Sequence, residues 1–400
     1  MTDTLFAGLT PAPADPILGV SEKFRADPRP QKVNLGVGAY LTEEGKTPLM
    51  EVVREAEEAL AQSGQAHTYI PISGLPAYTS AVQKMVFGAD SEIVLSGRAA
   101  TVQTLGGTGA LKVGMDFLHH VCGETRGVSS KPTWGNHFAL LEQAGYEVGS
   151  YRYYDAANND VDFNGMIEDL NALPAKTLVI LHSCCHNPTG YDLTSEQWDE
   201  VIAVCQKRGL TPFLDMAYQG FRDGLAADAA AIHQFAKSGM NFLLATSFSK
   251  SFNLYGERIG ALHVVTQSAQ EAAVVLTQLK SCIRCNYSNP PAHGARIVER
   301  VLNDPAKFAQ WEEELAVMRN RIRKMRHALA DEMARIGAKR DFSFITRQNG
   351  MFSFTGLSPE QIDRLAADYG IYAVRNGRIC ICGLNTGNVE YVAKAIAEVL

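Results

Sequence analysis

The sequence predicts an α/β protein: a large domain with a mostly parallel mixed sheet flanked by helices, plus a smaller α/β domain. From residue 128 onward, short apolar runs alternate with helical segments, which is typical of a parallel sheet with helices on both faces. The apolar runs at 242–247 and 259–265 lie too close together for a helical crossover, so one strand should be antiparallel. At 400 residues, the chain is longer than one core usually organises, which favours two domains.

The N-terminal part of the chain predicts an arm followed by two helices. Residues 1–16 are rich in proline and alanine without a period, so we expect an extended arm that gains order by lying on a partner subunit. Helices are expected over 17–26 and 48–62, the second from its apolar residues at helical spacing. Between them, the strand-like segment 32–40 contains Gly38, a residue type that lets a ligand approach the backbone closely.

Residues 101–118 (TVQTLGGTGALKVGMDFL) predict a strand, a glycine turn and a helix. A Gly-Gly-Thr-Gly turn that opens a helix presents free backbone amides to a phosphate group. The turn matches neither the dinucleotide-binding nor the nucleoside-triphosphate loop pattern. A tight turn without a ligand is therefore the alternative.

The central and C-terminal parts predict strands whose carboxyl ends should carry the functional residues. Asp215 ends one of these strands, although an N-cap or turn aspartate is the alternative reading of that residue. A long amphipathic helix is expected over about 306–336, and strands and helices alternate again from 342 to the C-terminus. The central strands are predicted at 178–183, 210–215, 242–247 and 259–265, and further helices near 195–208 and 227–237.

Composition argues against several classes of partner. The formal net charge is −6 and no lysine and arginine block is present, which argues against nucleic acid as a main partner. No apolar run approaches the roughly 20 residues of a membrane helix, and no secretory signal is visible, so we expect a cytoplasmic protein without a membrane partner. The eight cysteines are expected to be reduced packing residues, and no metal site is predicted, since the CxxC at 282–285 has no companion pair.

The segment SFSKSFNLYGER (247–258) contains the strongest candidate for chemistry. Lys250 lies on the loop that leaves a predicted strand, between serines, and Arg258 follows eight positions later. A partly desolvated lysine has a lowered pKa and can attack an aldehyde to form a Schiff base. Arg258 could bind a carboxylate or phosphate with its forked donors. Solvated loop charges are an equally good reading of these residues taken alone.

The same segment resembles the signature of the class I pyridoxal-phosphate aminotransferases of the aspartate/aromatic group, a fold type I family. Three companion motifs resemble that family in the same order: HNPTG (186–190), DMAYQGF (215–221) and NYSNPPAHGA (286–295). The likeness runs from about residue 12 to the C-terminus. It implies the fold type I architecture, pyridoxal 5'-phosphate as cofactor, and a homodimer with shared active sites. The implied division is an N-terminal arm (1–16), a small domain (17–45 and 315–400) and a large cofactor-binding domain (46–314).

The resemblance implies a role for each residue that would hold the cofactor. Lys250 would form the Schiff base and later act as general base, and Asp215 would pair with the pyridinium nitrogen. Trp134 would stack on the ring and also face the substrate, although a core tryptophan is the alternative for that residue. Tyr218 and Asn187 would donate to the phenolic oxygen, and His137 would support Asp215. The phosphate would be held by Gly107, Thr108, Ser247 and Arg258, and by Tyr69 from a second subunit.

Substrate recognition is implied to rest on two arginines. Arg378 matches the residue that binds the α-carboxylate, with Gly38, Asn187 and Trp134 beside it. Arg284 matches the residue that binds a side-chain carboxylate across the dimer interface. The implied reaction is transamination between an L-amino acid and 2-oxoglutarate, which gives a 2-oxo acid and glutamate.

The residues that would influence the choice of amino acid substrate point in different directions. Leu41 and the small Ala39 favour an aromatic ring, whereas Thr47, Thr68 and Asn289 keep the polar character usual in aspartate-preferring relatives. We therefore expect activity on aspartate and on tyrosine or phenylalanine.

Two rival functions share part of this pattern. A fold type I enzyme of another class, a β-decarboxylase or lyase acting on a dicarboxylic amino acid, would use the same lysine and aspartate. A ligand-binding module without catalysis is disfavoured, because both arginine sites are complete and no DNA-binding segment is fused to the chain.

Overall fold

A computed structural model describes residues 4–12 and 17–400 of the protein. Part of the predicted arm, residues 1–3 and 13–16, lies outside the described residues. Residues 4–12 are exposed and contain a turn at 5–8, closed by hydrogen bonds from Ala7 N to Thr4 O (3.0 Å) and from Leu9 N to Phe6 O (3.1 Å). This turn interrupts the extended course that we predicted for the arm.

A seven-stranded sheet forms the centre of the described structure, in the order β2-β10-β9-β8-β7-β3-β4. Strand β10 runs antiparallel to both of its neighbours and the other pairs are parallel, which confirms the predicted mixed sheet with one antiparallel strand. Three two-stranded sheets join β1 to β12, β5 to β6 and β11 to β13. The strands are β1 (Val33–Asn34), β2 (Ala99–Leu105), β3 (Arg126–Lys131), β4 (Glu147–Arg152), β5 (Tyr154–Asp155), β6 (Asp160–Val161), β7 (Thr177–His182), β8 (Thr211–Met216), β9 (Phe242–Ser247), β10 (Ile259–Val265), β11 (Phe352–Phe354), β12 (Ile371–Tyr372) and β13 (Arg378–Cys380).

Helices cover both faces of the central sheet, and several begin or end at a local sequence signal. Thr194 and Ser358 each form a capping box at a helix start, and Gly209 and Gly370 end the same two helices in the left-handed conformation. The α-helices are α1 (Leu18–Ala26), α2 (Glu51–Gln62), α3 (Pro76–Phe87), α4 (Glu92–Ser96), α5 (Gly106–His120), α6 (Asn136–Ala144), α7 (Phe163–Ala172), α8 (Ser195–Arg208), α9 (Leu225–Asp228), α10 (Ala230–Lys237), α11 (Ala269–Asn286), α12 (His293–Leu302), α13 (Pro305–Arg335), α14 (Pro359–Tyr369) and α15 (Val389–Val399).

The hydrophobic core lies on the two faces of the sheet. Because successive side chains of a strand point to opposite faces, Phe213 of β8 packs with α5, whereas its neighbour Leu214 packs into the cluster on the other face. Strands β7, β9 and β10 are buried along their whole length, as expected for central strands of a sheet covered on both sides. Gly114 lets α5 lie close to the sheet, since a Cβ there would meet the Phe213 ring at 2.6 Å.

The long helix α13 connects the region of the central sheet to the C-terminal elements. It contacts α2 and α12 as well as α15 and the 3-10 helix Ser343–Arg347. Strand β12 pairs with β1, so residues near the N-terminus pack with the C-terminal part of the chain. This pairing agrees with the predicted composition of the small domain, whose boundaries stay a prediction.

Two predicted elements differ from the structure. The helix expected near 227–237 is broken at Ala229 into α9 and α10. The strand-like segment 32–40 forms a strand only over Val33–Asn34. Among the described helices, none is long and apolar enough to cross a membrane.

Candidate active site

A cavity of about 260 Å³ lies at the edge of the sheet where the parallel strands end. Strand β8 reaches this edge at Asp215, and β9 reaches it at Ser247, just before Lys250. The predicted site residues that line the cavity are Gly38, Gly107, Thr108, Trp134, Asn187, Asp215, Tyr218, Ser247, Lys250, Arg258 and Arg378. These residues are spread over most of the sequence, and the order of the strands brings them together.

Asp215 is buried and receives a hydrogen bond from His137, at 3.0 Å between Nε2 and Oδ2. Desolvation alone would raise the pKa of Asp215, but the hydrogen bond from His137 and the positive charge of Lys250 outweigh it and hold the pKa below its usual value. The carboxylate therefore stays ionised in the cavity wall.

A chain of hydrogen bonds behind Asp215 fixes the orientation of the two histidine rings. The backbone N–H of Asn187 donates to Nδ1 of His182 (3.3 Å), so Nε2 of His182 carries the proton and donates to the Thr133 hydroxyl (3.1 Å). That hydroxyl in turn donates to Nδ1 of His137 (2.8 Å), which leaves Nε2 of His137 to donate to Asp215. Burial lowers the pKa of His182 to about 3, so this ring is neutral at physiological pH.

The amine of Lys250 lies in the cavity on the loop that follows β9, 5.0 Å from the centre of the Tyr218 ring. Burial, opposed by Asp215 and assisted by the charges of Arg258 and Arg378, lowers the pKa of this amine to about 8. A fraction of the Lys250 amine is consequently neutral and nucleophilic near neutral pH. Burial also raises the pKa of Tyr218, whose hydroxyl stays protonated.

One corner of the cavity is built to hold an anion. The first turn of α5 begins at Gly106 and has no side-chain cap. Gly106 N donates to Arg258 O (3.0 Å), and the next amides of the turn have no intrahelical partner and can donate to a ligand. Arg258 lies against this turn: a Cβ on Gly106 would meet its Nη2 at 2.7 Å, and Gly106 itself has φ +66°. Hydrogen bonds from Nη1 of Arg258 to Ser249 Oγ (3.3 Å) and Tyr255 O (2.9 Å) hold the guanidinium in place. Only glycine at Gly106 leaves room for both the turn and the arginine.

Arg378, on β13, places a second guanidinium in the cavity wall. Its side chain donates to Asn187 Oδ1 (3.3 Å) and Gly36 O (3.1 Å), and it lies 4.1 Å from the centre of the Phe352 ring. Nε has no partner among the described residues, although Arg378 is only 3% exposed. A buried cation without an acidic partner favours an anionic ligand. The Asn187–Pro188 peptide next to it is cis.

Two predicted residues lie away from this cavity in the single chain. Tyr69 is 92% exposed and lines a different surface cavity together with His67 and Asn289. Arg284 is an exposed residue near the end of α11 and donates to the Ser288 hydroxyl. Both had been expected to act on the site of a second subunit.

Several cavity residues were missed in the sequence. Tyr255 lies inside the lysine motif, five residues after Lys250, and this position could have identified it in the sequence. Its hydroxyl accepts a hydrogen bond from Tyr40 N at 2.7 Å. Phe352 had no such signal, because its role depends on its contact with Arg378. The other missed residues that line the cavity are Ile17, Leu111, Cys184 and Ala217.

Comparisons with known proteins extend over the whole chain. Residues 30–396 match the family described as aminotransferase class I and II. The chain is 54% identical to an aspartate aminotransferase of Pseudomonas aeruginosa, over 99% of this chain and 100% of that protein. It is 49% identical to an aromatic-amino-acid aminotransferase of Escherichia coli, over 96% of this chain and 98% of that protein.

The structure also matches a solved one along its full length. The crystal structure of an aromatic-amino-acid aminotransferase from Burkholderia pseudomallei, covalently bound to pyridoxal phosphate, superposes with a TM-score of 0.97. The two are 53% identical and 100% of each chain is covered, which confirms the predicted fold class. The chain belongs to the class I and II aminotransferases.

Proposed function

We propose that this protein is a pyridoxal-phosphate-dependent aminotransferase. It would transfer an amino group between an L-amino acid, aspartate and tyrosine or phenylalanine, and 2-oxoglutarate, with a 2-oxo acid and glutamate as products. The observation that carries the proposal is one cavity that combines the amine of Lys250, the carboxylate of Asp215 and the guanidinium groups of Arg258 and Arg378. The names of the two relatives and the cofactor bound in the Burkholderia structure support it.

The donor set of the cavity fits pyridoxal phosphate. When bound, the cofactor supplies an electron-withdrawing ring that stabilises negative charge at the substrate Cα. The ionised Asp215 would face the pyridine nitrogen and keep it protonated. The phosphate would accept hydrogen bonds from Gly107, Thr108, Ser247 and Arg258 at the anion corner, and from Tyr69 of a second subunit. Trp134 would cover the ring, and Tyr218 and Asn187 would donate to its phenolic oxygen.

Lys250 would hold the cofactor and then move the proton at the substrate Cα. A general base works best when its pKa lies near the working pH, and burial brings the pKa of Lys250 to about 8. Its position close to the Tyr218 ring keeps the amine on the cavity side of the loop.

Arg378 would bind the substrate α-carboxylate. Nε of Arg378 has no partner among the described residues, and a guanidinium can offer two parallel donors to a carboxylate. Asn187 and Gly36 occupy other donors of the group and so fix its plane, and Gly38 lines the cavity beside it. Arg284 of a second subunit would bind the side-chain carboxylate of aspartate, glutamate or 2-oxoglutarate.

Lys250→Ala tests this proposal directly. We expect transamination of aspartate with 2-oxoglutarate to fall by at least about 10²–10⁴-fold, the usual contribution of a general base. Lys237→Ala, at an exposed lysine of α10, is the matched control and should keep full activity. Turnover retained by Lys250→Ala would remove this residue from the mechanism.

The products identify the reaction and the substrate. Oxaloacetate formed from aspartate indicates transamination, whereas alanine and CO₂ would indicate a β-decarboxylase. Values of kcat/KM measured side by side for aspartate, tyrosine and phenylalanine then test the proposed dual specificity.

The assembly and location are part of the same proposal. A homodimer would bring Tyr69 and Arg284 of each subunit to the cavity of the other, and sedimentation of the purified protein would measure its mass. The cytoplasmic location predicted from the sequence stays a prediction, which cell fractionation would test.

A further inference from the structure

A second cavity, of about 530 Å³, lies at the edge of the sheet opposite to the candidate active site. It forms where the parallel strands β8 and β9 begin and the antiparallel strand β10 ends. Its apolar wall is made by Leu118, Leu210, Leu243, Val264 and Val275. None of the residues assigned to the proposed reaction lines it.

Glu124 contributes a buried carboxyl group to this cavity. The residue is 6% exposed, and Oε1 accepts a hydrogen bond from the Thr211 hydroxyl. Oε2 has no hydrogen-bond partner in the part of the chain that the structure describes. The backbone fixes the residue in place, because Glu124 N donates to Leu118 O (3.0 Å) and Glu124 O accepts from His119 Nδ1 (2.6 Å). An unpaired buried acceptor is costly, and a ligand with N–H donors would satisfy it.

The charges around the cavity favour a cation. Glu271 adds a second acidic residue to the lining, and the described residues that line the cavity include no lysine or arginine. Burial raises the pKa of Glu124 to about 7, although the hydrogen bond from Thr211 and the charge of Lys176, which lies outside the lining, both act to lower it. The other titratable groups that face Glu124 from neighbouring elements are His119, Cys122, Tyr146 and Cys205.

We propose that this cavity is a binding site for a small organic cation, an ammonium or amidinium group on a compact apolar body. The N–H donors would bind Glu124 and the apolar body would lie against the wall formed by Leu118, Val264 and Val275. Such a site has no part in transamination, so it can be tested separately from the proposed function.

Benzamidine is a suitable probe, since it combines an amidinium group with a ring and is a poor partner for the cofactor aldehyde. Isothermal titration of the holoenzyme should detect binding of benzamidine but not of benzamide or benzoate. In Glu124→Gln the affinity should fall by about tenfold or more, the loss expected for a charge-assisted hydrogen bond. Aspartate transamination should be unchanged in this variant.

The pH dependence of binding provides an independent readout. Because the carboxyl group must lose its proton to pair with the cation, the affinity of the wild-type protein should rise between pH 6 and 8. The affinity of Glu124→Gln should not change over this range. Val275→Phe, which narrows the cavity from α11 without touching Glu124, should also weaken binding.

Equal benzamidine affinity in the wild type and Glu124→Gln would overturn the proposal. So would the absence of saturable binding at millimolar concentration, or equal binding of benzamide. If Glu124→Gln does not fold, unchanged affinity in Val275→Phe would serve as the contradicting result.

Discussion

The pKa of Lys250 makes cofactor capture depend on pH. Burial lowers this pKa from 10.5 to about 8, so that about one amine in ten is neutral at pH 7 and most are neutral at pH 9. Only the neutral amine has the lone pair that attacks an aldehyde. The rate at which the cofactor-free protein captures pyridoxal phosphate should therefore rise about tenfold per pH unit below 8 and level off above it.

This rate can be followed by the absorbance of the covalently bound cofactor after mixing. Lys250→Ala should show no covalent product at any pH. A rate in the wild type that continues to rise to pH 10 would mean that the amine keeps its ordinary pKa and that the cavity does not desolvate it.

Residue types in the motifs could be predicted from the sequence, but their protonation and orientation could not. Asp215 and His137 are 78 positions apart, and His182 is hydrogen-bonded to His137 through the Thr133 hydroxyl. The hydrogen bond from Asn187 N to His182 is what fixes the tautomers along this chain. No local pattern in the sequence carries that information.

At the scale of elements, helix α13 supports the substrate side of the site through Arg326. This arginine is 3% exposed, and its guanidinium donates to the carbonyls of Gly350 and Phe352 (3.1 Å to the latter) and to Ser353 Oγ (3.2 Å). Burial lowers its pKa to about 10, which leaves it charged at neutral pH. The Phe352 ring packs on the guanidinium of Arg378. Arg326 therefore supports the position of Arg378 by holding the backbone of Phe352 in place.

Arg326→Met should destabilise the protein and weaken substrate binding together. It leaves the carbonyls of Gly350 and Phe352 unpaired in the core, which should cost about 2–4 kcal/mol of folding free energy. KM for aspartate and phenylalanine should both rise, because the position of Arg378 changes. Urea unfolding and steady-state kinetics measure the two effects.

The matched control is Arg323→Met on the same helix. Arg323 is exposed and pairs with Asp223, and an exposed ion pair contributes about 1 kcal/mol or less. If the two variants unfolded at the same urea concentration, Arg326 would have no special supporting role.

The bounds of helices and strands were predictable where the local sequence determines them, and less predictable where contacts with distant residues determine them. Strands β9 and β10 and helix α8 have the predicted bounds, since their apolar spacing and caps are local. The break at Ala229 follows from Asp228, whose carboxylate accepts hydrogen bonds from the amides of Gly220 (2.7 Å), Arg222 (3.0 Å) and Asp223 (2.8 Å). The helix pattern in the sequence continues through this position, so the break could not be read from it.

At the scale of the whole molecule, the two edges of the central sheet have different chemistry. The edge where the parallel strands end carries the amine, the carboxylate and the two arginines of the candidate active site. The opposite edge carries the acidic cavity around Glu124. A ligand at the second edge would be separated from the first by the length of strand β8, about 20 Å for six residues.

The position of Arg284 also concerns the whole molecule. In one chain it is exposed on α11 and does not line the candidate active site. If it binds the side-chain carboxylate from a second subunit, Arg284→Leu should lower kcat/KM for aspartate by about 10- to 100-fold, the loss of a charge-assisted pair. Phenylalanine has no side-chain carboxylate, so its own half-reaction should change far less.

Hybrid dimers separate action across the interface from action within a subunit. In a hybrid of one Lys250→Ala subunit and one Arg284→Leu subunit, the site with the intact lysine would receive the intact arginine from its partner. This hybrid should recover roughly half of the wild-type activity on aspartate, because one of two equivalent sites is native. The subunits would carry different affinity tags, and the tandem-purified hybrid would be compared with each parent homodimer. If Arg284 acted within its own subunit, the site with the lysine would lack the arginine, and the hybrid would be no more active than the Arg284→Leu parent.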